Sequence, residues 1–161
     1  MKKKSASVVA GMDFIASDAP SRLASGTCPL GLSAVIALGG GRSSAINAAA
    51  RAMVNAGVFV AVAAGASNDD STFYSPAGEP SVCTAGATDQ TDMKAWFSNY
   101  GEGLDLFAPG VDVTTTVLDG GVVSSFFSFF VSLFLSCSLL QNIELLGCAR
   151  GWRDMMANAV N

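Results

Sequence analysis

The polar loop that follows residue 64 is where the sequence predicts chemistry. Residues 58–64 form a continuous apolar run that ends at Gly65, and residues 65–80 are then rich in polar and turn-forming side chains. Shorter apolar runs follow at residues 81–87 and 104–108. Such runs indicate strands of a parallel sheet that is covered on both faces. Because ligands and catalytic groups of these sheets collect beyond the carboxyl ends of the strands, we expect a site in this loop.

The kinds of chemistry open to this site are limited by the residue types. No histidine occurs among the 161 residues. This removes the commonest general base, the commonest metal ligand and the usual partner of a nucleophilic serine. The four cysteines (Cys28, Cys83, Cys137 and Cys148) have no CxxC spacing, so a zinc site is not expected. They are compatible with two disulfides or with buried thiols.

Length and composition predict one globular domain with a substantial core. Half of the residues are hydrophobic and 14% are charged, which disfavours disorder over most of the chain. The net charge is −4, and no basic stripe follows the lysines at positions 2–4, so nucleic acid is not an expected partner. Those lysines are not followed closely enough by an apolar stretch to predict a secretory signal peptide.

The elements that would position the loop are predicted as follows. A helix covers residues 5–19 and is ended by Pro20. A strand at residues 33–38 runs into three glycines, and a second helix begins at Ser43 or Ser44 and ends at Gly57. Together with the strand at residues 58–64, this forms a right-handed strand–helix–strand unit. Further strands are expected at residues 81–87, 104–108 and 111–117.

The composition changes at residue 122. Residues 122–140 contain no charge and are rich in phenylalanine and serine. Their length just qualifies for a membrane-spanning helix. Six serines and the lack of flanking basic clusters argue against that interpretation, so a membrane partner is disfavoured but stays open. Residues 141–161 show no pattern that predicts a structure.

Seven short motifs in order resemble the subtilisin-like serine peptidases (subtilases) of the proteinase K branch. The motifs are residues 11–14 (GMDF), 38–41 (LGGG), 60–65 (VAVAAG), 74–77 (YSPA), 79–84 (EPSVCT), 97–101 (FSNYG) and 104–110 (LDLFAPG). The resemblance covers roughly residues 5–121. It predicts a partial subtilase domain at residues 1–121, followed by an unrelated apolar tail at residues 122–161.

The resemblance implies an α/β fold with a doubly wound parallel sheet, truncated here at both ends. It also implies a secreted endopeptidase with an Asp, His, Ser triad and peptide or protein substrates; the compartment of this chain stays open. The backbone of Leu38, Gly39 and Gly40 would pair with an extended substrate. The small residues at positions 63–65 (Ala63, Ala64, Gly65) would form the wall of the specificity pocket. Without the resemblance, both segments read as strand ends with tight turns.

A structural calcium ion is also implied by the resemblance. The backbone carbonyls of Pro80 and Val82 and the carboxylate of Asp105 match the family's ligands. Such hard oxygen donors are the ones that calcium prefers. The alternative is that Asp105 is merely a polar residue at the start of a strand.

Several departures from the family pattern predict that this chain is catalytically inactive. The family segments that carry the triad Asp and His would lie before residue 1, and the nucleophile motif Gly-Thr-Ser-Met-Ala does not follow Gly121. Ala66 stands where the family has an asparagine that donates to the oxyanion, a loss that costs roughly 10²–10³ in rate. Asn68 could substitute only if the loop re-formed.

The family counterparts of Cys28 and Cys83 pair with cysteines in segments that this chain lacks. We therefore expect free thiols, or scrambled pairing with Cys137 or Cys148 in an oxidising compartment.

Three hypotheses remain open on this basis. The favoured one is an inactive internal fragment of a subtilisin-like peptidase whose tail comes from an unspliced or frame-shifted segment. The second is a non-catalytic peptide-binding remnant that uses the backbone edge at residues 38–40. The third is a tail-anchored membrane protein that displays the remnant domain.

Overall fold

A parallel β-sheet is the centre of the protein in its computed structural model, which describes residues 2–28, 31–116 and 122–125. The elements in chain order are α1 (Lys2–Ala24), β1 (Leu32–Ile36), β2 (Gly40–Gly41), α2 (Ser44–Asn55), β3 (Val58–Ala63), a 3₁₀ turn (Ser71–Phe73), β4 (Tyr74–Ser75), β5 (Cys83–Thr88), β6 (Leu106–Pro109), β7 (Val113–Thr116) and β8 (Val122–Ser125). The predicted α/β class with a parallel sheet is confirmed.

In the described part of the chain, the sheet has four strands in the order β1-β3-β5-β6, and every neighbouring pair is parallel. Two antiparallel ribbons accompany it, β2 with β4 and β7 with β8. Successive side chains of a strand point to opposite faces, so Val58, Val60 and Val62 share one face of β3. All three are buried. They belong to one apolar cluster with buried residues of both helices.

The second helix, α2, begins and ends as its sequence predicts. The Ser43 hydroxyl accepts the backbone N–H of Ile46, which satisfies one of the free donors of the first turn. Gly57 follows the helix with φ +88°, a conformation that side chains disfavour. The predicted apolar face is buried, apart from a partly buried Val54: Ile46, Ala49, Ala50 and Met53.

The first helix differs from its prediction, because Pro20 lies inside α1 and does not end it. A proline in a helix interior removes one backbone hydrogen bond and crowds the preceding turn. Here the residues around it have tertiary contacts that continue the helix to Ala24. Ala19 is buried in the core, and Leu23 packs so closely over Gly57 that a Cβ there would lie 2.8 Å from its Cδ1.

The segment at residue 122 begins as a strand. β8 pairs in antiparallel register with β7, with Thr116 opposite Val122. The membrane-helix alternative is therefore not supported at its first four residues, and residues 126–140 lie outside the described part of the chain. Within the part that is described, no helix is both long enough and apolar enough to cross a membrane. The tail boundary after residue 121 stays a prediction.

Candidate functional site

A cavity of about 350 Å³ lies beyond the carboxyl ends of β1 and β3, where the sequence predicts a site. It brings together the two segments that the resemblance singles out, residues 38–40 and 63–65. The lining is small and apolar for the most part, with a few larger groups: Ala37, Leu38, Gly39, Gly40, Ala63, Ala64, Gly65, Ala66, Ser67, Tyr74, Ser75, Ala77 and Phe97. Their roles as substrate-binding residues stay predictions.

The backbone edge at residues 38–40 is open to solvent. Leu38 has 47% of its surface exposed, and Gly39 and Gly40 are exposed as well. Gly40 pairs with Ser75 across the β2–β4 ribbon. A Cβ on Gly39 would lie 3.2 Å from the carbonyl oxygen of Ser75, so the absence of a side chain allows this close approach.

The pocket wall turns away from the sheet at Gly65. The Ala64 N–H still donates to the Ala85 carbonyl of the next strand, at 2.9 Å. Gly65 then takes φ +105°, which L side chains rarely adopt. This glycine lets the loop leave β3 sharply and return towards residues 97–100.

Asn99 holds this turn in place, and the sequence interpretation assigned it no role. It is fully buried, and its Oδ1 accepts from the N–H groups of Ser67 at 2.8 Å and Asp69 at 3.2 Å. Its Nδ2 donates to the Ala64 carbonyl at 2.8 Å, and its backbone N–H donates to the Gly65 carbonyl at 3.1 Å. The one signal in the sequence was its place inside the FSNYG motif.

Ala66 lies at the rim of the cavity and presents only a methyl group there. Asn68, the predicted substitute donor, is not among the lining residues. It takes φ +50°, its Oδ1 accepts from Lys94 Nζ at 2.8 Å, and its N–H donates to the Phe97 carbonyl at 2.8 Å. The described loop therefore does not bring Asn68 to the position of the missing donor.

Two of the three predicted calcium ligands lie immediately before adjacent strands, and Pro80 lies in the turn before β5. Val82 immediately precedes β5, and Asp105 immediately precedes β6. The Thr84 N–H donates to Asp105 Oδ2 at 2.7 Å, which fixes the carboxylate beside β5. Burial raises the pKa of Asp105, and the bond from Thr84 opposes this only in part. A nearby cation would favour the charged form of this carboxylate.

This donor set fits calcium in its chemistry, because one carboxylate and two carbonyls are all hard oxygens. It contains a single acidic side chain. Accordingly, no group of three or more His, Cys, Asp or Glu side chains placed to hold a metal occurs among the described residues. The calcium site stays a prediction.

The cysteine prediction is confirmed in part. Cys28 is free, as expected. Cys83 is disulfide-bonded, which agrees with the alternative of pairing and excludes a free thiol at this position. The pairing of a buried strand residue depends on which distant segment approaches it, and local sequence does not show that. Cys137 and Cys148 lie outside the described residues.

Comparisons with known proteins agree with this architecture. The family model described as "Subtilase family" matches residues 26–128. The alkaline serine protease ver112 of Corniculantispora psalliotae is 53% identical over 113 residues, which are 70% of this chain and 28% of that protein. Proteinase R of Parengyodontium album is 49% identical over 117 residues, covering 73% of this chain and 29% of that protein.

Solved structures show the same relationship. A cold adapted subtilisin-like serine proteinase superposes with a TM-score of 0.71 at 31% sequence identity. The superposition covers 89% of this chain and 50% of that one. The chain thus spans less than a third of the length of the two sequence relatives named above and half of this structural neighbour.

Proposed function

Because this chain belongs to the subtilase family, we propose that it carries the substrate-binding part of a subtilisin-like serine endopeptidase and that these 161 residues alone do not hydrolyse peptide bonds. The observation that supports substrate binding is that both predicted substrate-binding segments line one cavity. Residues 38–40 and 63–65 are far apart in the sequence, yet they line one space of about 350 Å³.

The chemistry of the cavity favours an extended peptide with an apolar side chain. Ala63, Ala64 and Gly65 leave room beside the end of β3, and the exposed backbone at Leu38 and Gly39 offers hydrogen-bonding groups next to it. A peptide strand laid along this edge would gain affinity from main-chain bonds and specificity from the pocket.

The proposed lack of hydrolysis rests on two missing groups, a general base and an oxyanion donor. Acyl transfer by a serine needs a base that takes its proton, and no imidazole is present in these 161 residues. The methyl group of Ala66 at the cavity rim cannot donate a hydrogen bond to an oxyanion. Peptide binding without hydrolysis is therefore the behaviour that the cavity supports best.

A titration with a fluorescently labelled, blocked tetrapeptide of alanine and leucine tests the binding. We expect saturable binding at micromolar concentrations. Ala63→Leu fills the pocket and should abolish binding, whereas Ala48→Leu, on the exposed side of α2, should leave it unchanged. No binding at high micromolar concentration, or equal binding by both variants, would overturn the proposal.

A cleavage assay with the same peptide tests the inactivity. We expect no hydrolysis by the chain or by Ala66→Asn, since restoring the oxyanion donor does not supply a base. Cleavage that a serine-directed inhibitor abolishes would show that the chain is an active enzyme as it stands.

We also propose a calcium ion at the carbonyls of Pro80 and Val82 and the carboxylate of Asp105. Its expected effect is structural, because an ion that binds only the folded state stabilises it, by about 2.7 kcal/mol at a hundredfold excess over Kd. Calcium should raise the urea midpoint of the chain but not of Asp105→Asn. Asp112→Asn, on an exposed turn, serves as the control. Equal responses of all three proteins would exclude the site.

A further inference from the structure

We propose that Asn99 is a positioning residue for the substrate pocket: its buried carboxamide sets the course of residues 64–69 and thereby the shape of the pocket wall. This inference deepens the proposed function and rests on it, since it assumes that the cavity is the binding site. Asn99 does not itself line the cavity. Its effect is exerted through Ala64, Gly65 and Ser67, which do line it.

The hydrogen bonds of Asn99 reach both ends of this segment. At one end its Nδ2 donates to the carbonyl of Ala64, where β3 ends. At the other end its Oδ1 accepts from the N–H groups of Ser67 and Asp69, at 2.8 and 3.2 Å. One side chain therefore ties the strand end at Ala64 to the loop at Ser67 and Asp69, across the intervening residues 65 and 66.

The role requires a carboxamide, which combines a donor and an acceptor in one flat group. A side chain without polar atoms would deprive the Ala64 carbonyl of a buried donor and the two part-buried N–H groups of their acceptor. A carboxylate would still accept from both N–H groups, but an ionised oxygen would face the Ala64 carbonyl. Only its protonated form could donate there as the amide does.

The neighbouring backbone is built around this group. A Cβ on Gly65 would lie 2.5 Å from Asn99 Nδ2, so the glycine makes room for the carboxamide as well as for its own turn. The Asn99 N–H in turn donates to the Gly65 carbonyl. The contact is thus reciprocal: the loop bends only because the glycine permits it, and the asparagine holds the bend.

Amide hydrogen exchange of the full chain, measured without peptide, tests this inference. In Asn99→Ala we expect exchange of residues 64–69 to become about tenfold faster or more, since the bonds that close this loop are lost. Residues of β3 and β5 should keep their protection. Asn47→Ala provides a matched control, because it removes a carboxamide on α2 whose buried oxygen has no hydrogen-bond partner among the described residues.

Asn99→Asp is a second variant that tests the donor function separately. Protection of residues 64–69 should be low near neutral pH and should recover as the pH is lowered from about 8 to about 5, because protonation restores a donor to the Ala64 carbonyl. Charged groups on the segments around Asn99 include Asp69, Asp70 and Lys94, and all three are present in the wild type. The wild type measured over the same pH range therefore serves as the reference.

The outcomes separate this inference from the proposed function. Unchanged exchange at residues 64–69 in Asn99→Ala overturns the inference, as does an equal loss of protection in β3 and β5. Peptide binding by the wild type and by Asn99→Ala with the same affinity also overturns it. If the wild type binds no peptide while the exchange results are as expected, the proposed function fails and Asn99 is a positioning residue of the loop alone.

Discussion

Arg51 on α2 forms a two-point ion pair with Glu79, a carboxylate on the turn before β5. Arg51 Nε donates to Glu79 Oε1 at 3.1 Å, and Nη2 donates to Oε2 at 2.7 Å. The glutamate side chain is only 3% exposed, whereas the arginine side chain is 57% exposed. The pair thus joins a helix to the segment that precedes Pro80 and Val82, and it compensates a charge that is largely removed from water.

This pair predicts how acid affects stability. The hydrogen bond from Arg51 lowers the pKa of Glu79, with Ser81 adding to the effect against the cost of burial. A lowered pKa stabilises the folded state above the unfolded-state pKa of about 4.3, and this contribution is lost as the pH falls through the folded-state value. Urea midpoints measured against pH should therefore fall less steeply in acid for Glu79→Gln than for the wild type. Glu102→Gln, at an exposed position, should follow the wild type; equal slopes for Glu79→Gln would contradict the prediction.

Lys94 predicts a second, local effect on the loop beyond the pocket. Its ammonium donates to Asn68 Oδ1 at 2.8 Å and to the carbonyls of Ala95 and Ser98, and it lies 5.6 Å from the centre of the Tyr100 ring. Lys94→Met keeps the aliphatic stem but removes all donors. We expect the backbone N–H of Asn68 to exchange roughly two- to fivefold faster, in keeping with the modest net energy of an exposed hydrogen bond. Exchange in β3 should not change, and faster exchange there would show that Lys94 supports the whole sheet.

The parts of the fold that the sequence predicted well are those with local causes. The apolar run at residues 58–64 corresponds to β3, and α2 has the predicted serine cap and apolar face. Strand ends differ from the predicted ones by at most two residues, as with β5, which begins at Cys83. Apolar periodicity and capping act within a few residues, so a single segment contains most of the information that decides such an element.

The parts that were missed depend on contacts between distant segments. Pro20 indicates a helix end when it is considered alone, but the packing of Ala19 and Leu23 continues α1 past it. Asn99 hydrogen-bonds to the carbonyl of Ala64, 35 residues earlier, and nothing in its own neighbourhood indicates that partner. The pocket segments were predicted through resemblance, whereas the group that orders them was visible only once the chain was folded.

The continuity of α1 through Pro20 predicts a stabilising substitution. Pro20 is exposed, and its ring nitrogen cannot donate to the preceding turn. Pro20→Ala should therefore stabilise the chain by about 1–3 kcal/mol and raise its helical circular dichroism. Ala24→Pro, at the last residue of the helix, should have a much smaller effect on the helical signal. A loss of stability in Pro20→Ala would show that the proline fits a bend that the helix needs.

The close approach of Gly65 and Asn99 predicts that their substitutions are coupled. Gly65→Ala places a methyl group at φ +105° and within 2.5 Å of Asn99 Nδ2, so it should destabilise the chain by about 1–3 kcal/mol. Asn99→Ala removes the group that the methyl would meet but not the backbone strain. The double variant should therefore be less destabilised than the sum of the single variants, with a coupling of about 0.5–3 kcal/mol. Gly26→Ala, at φ +69° with open space around it, is a control that places a methyl group at positive φ without a steric contact. Strict additivity of Gly65→Ala and Asn99→Ala in urea unfolding would mean that the carboxamide and the turn are not energetically linked.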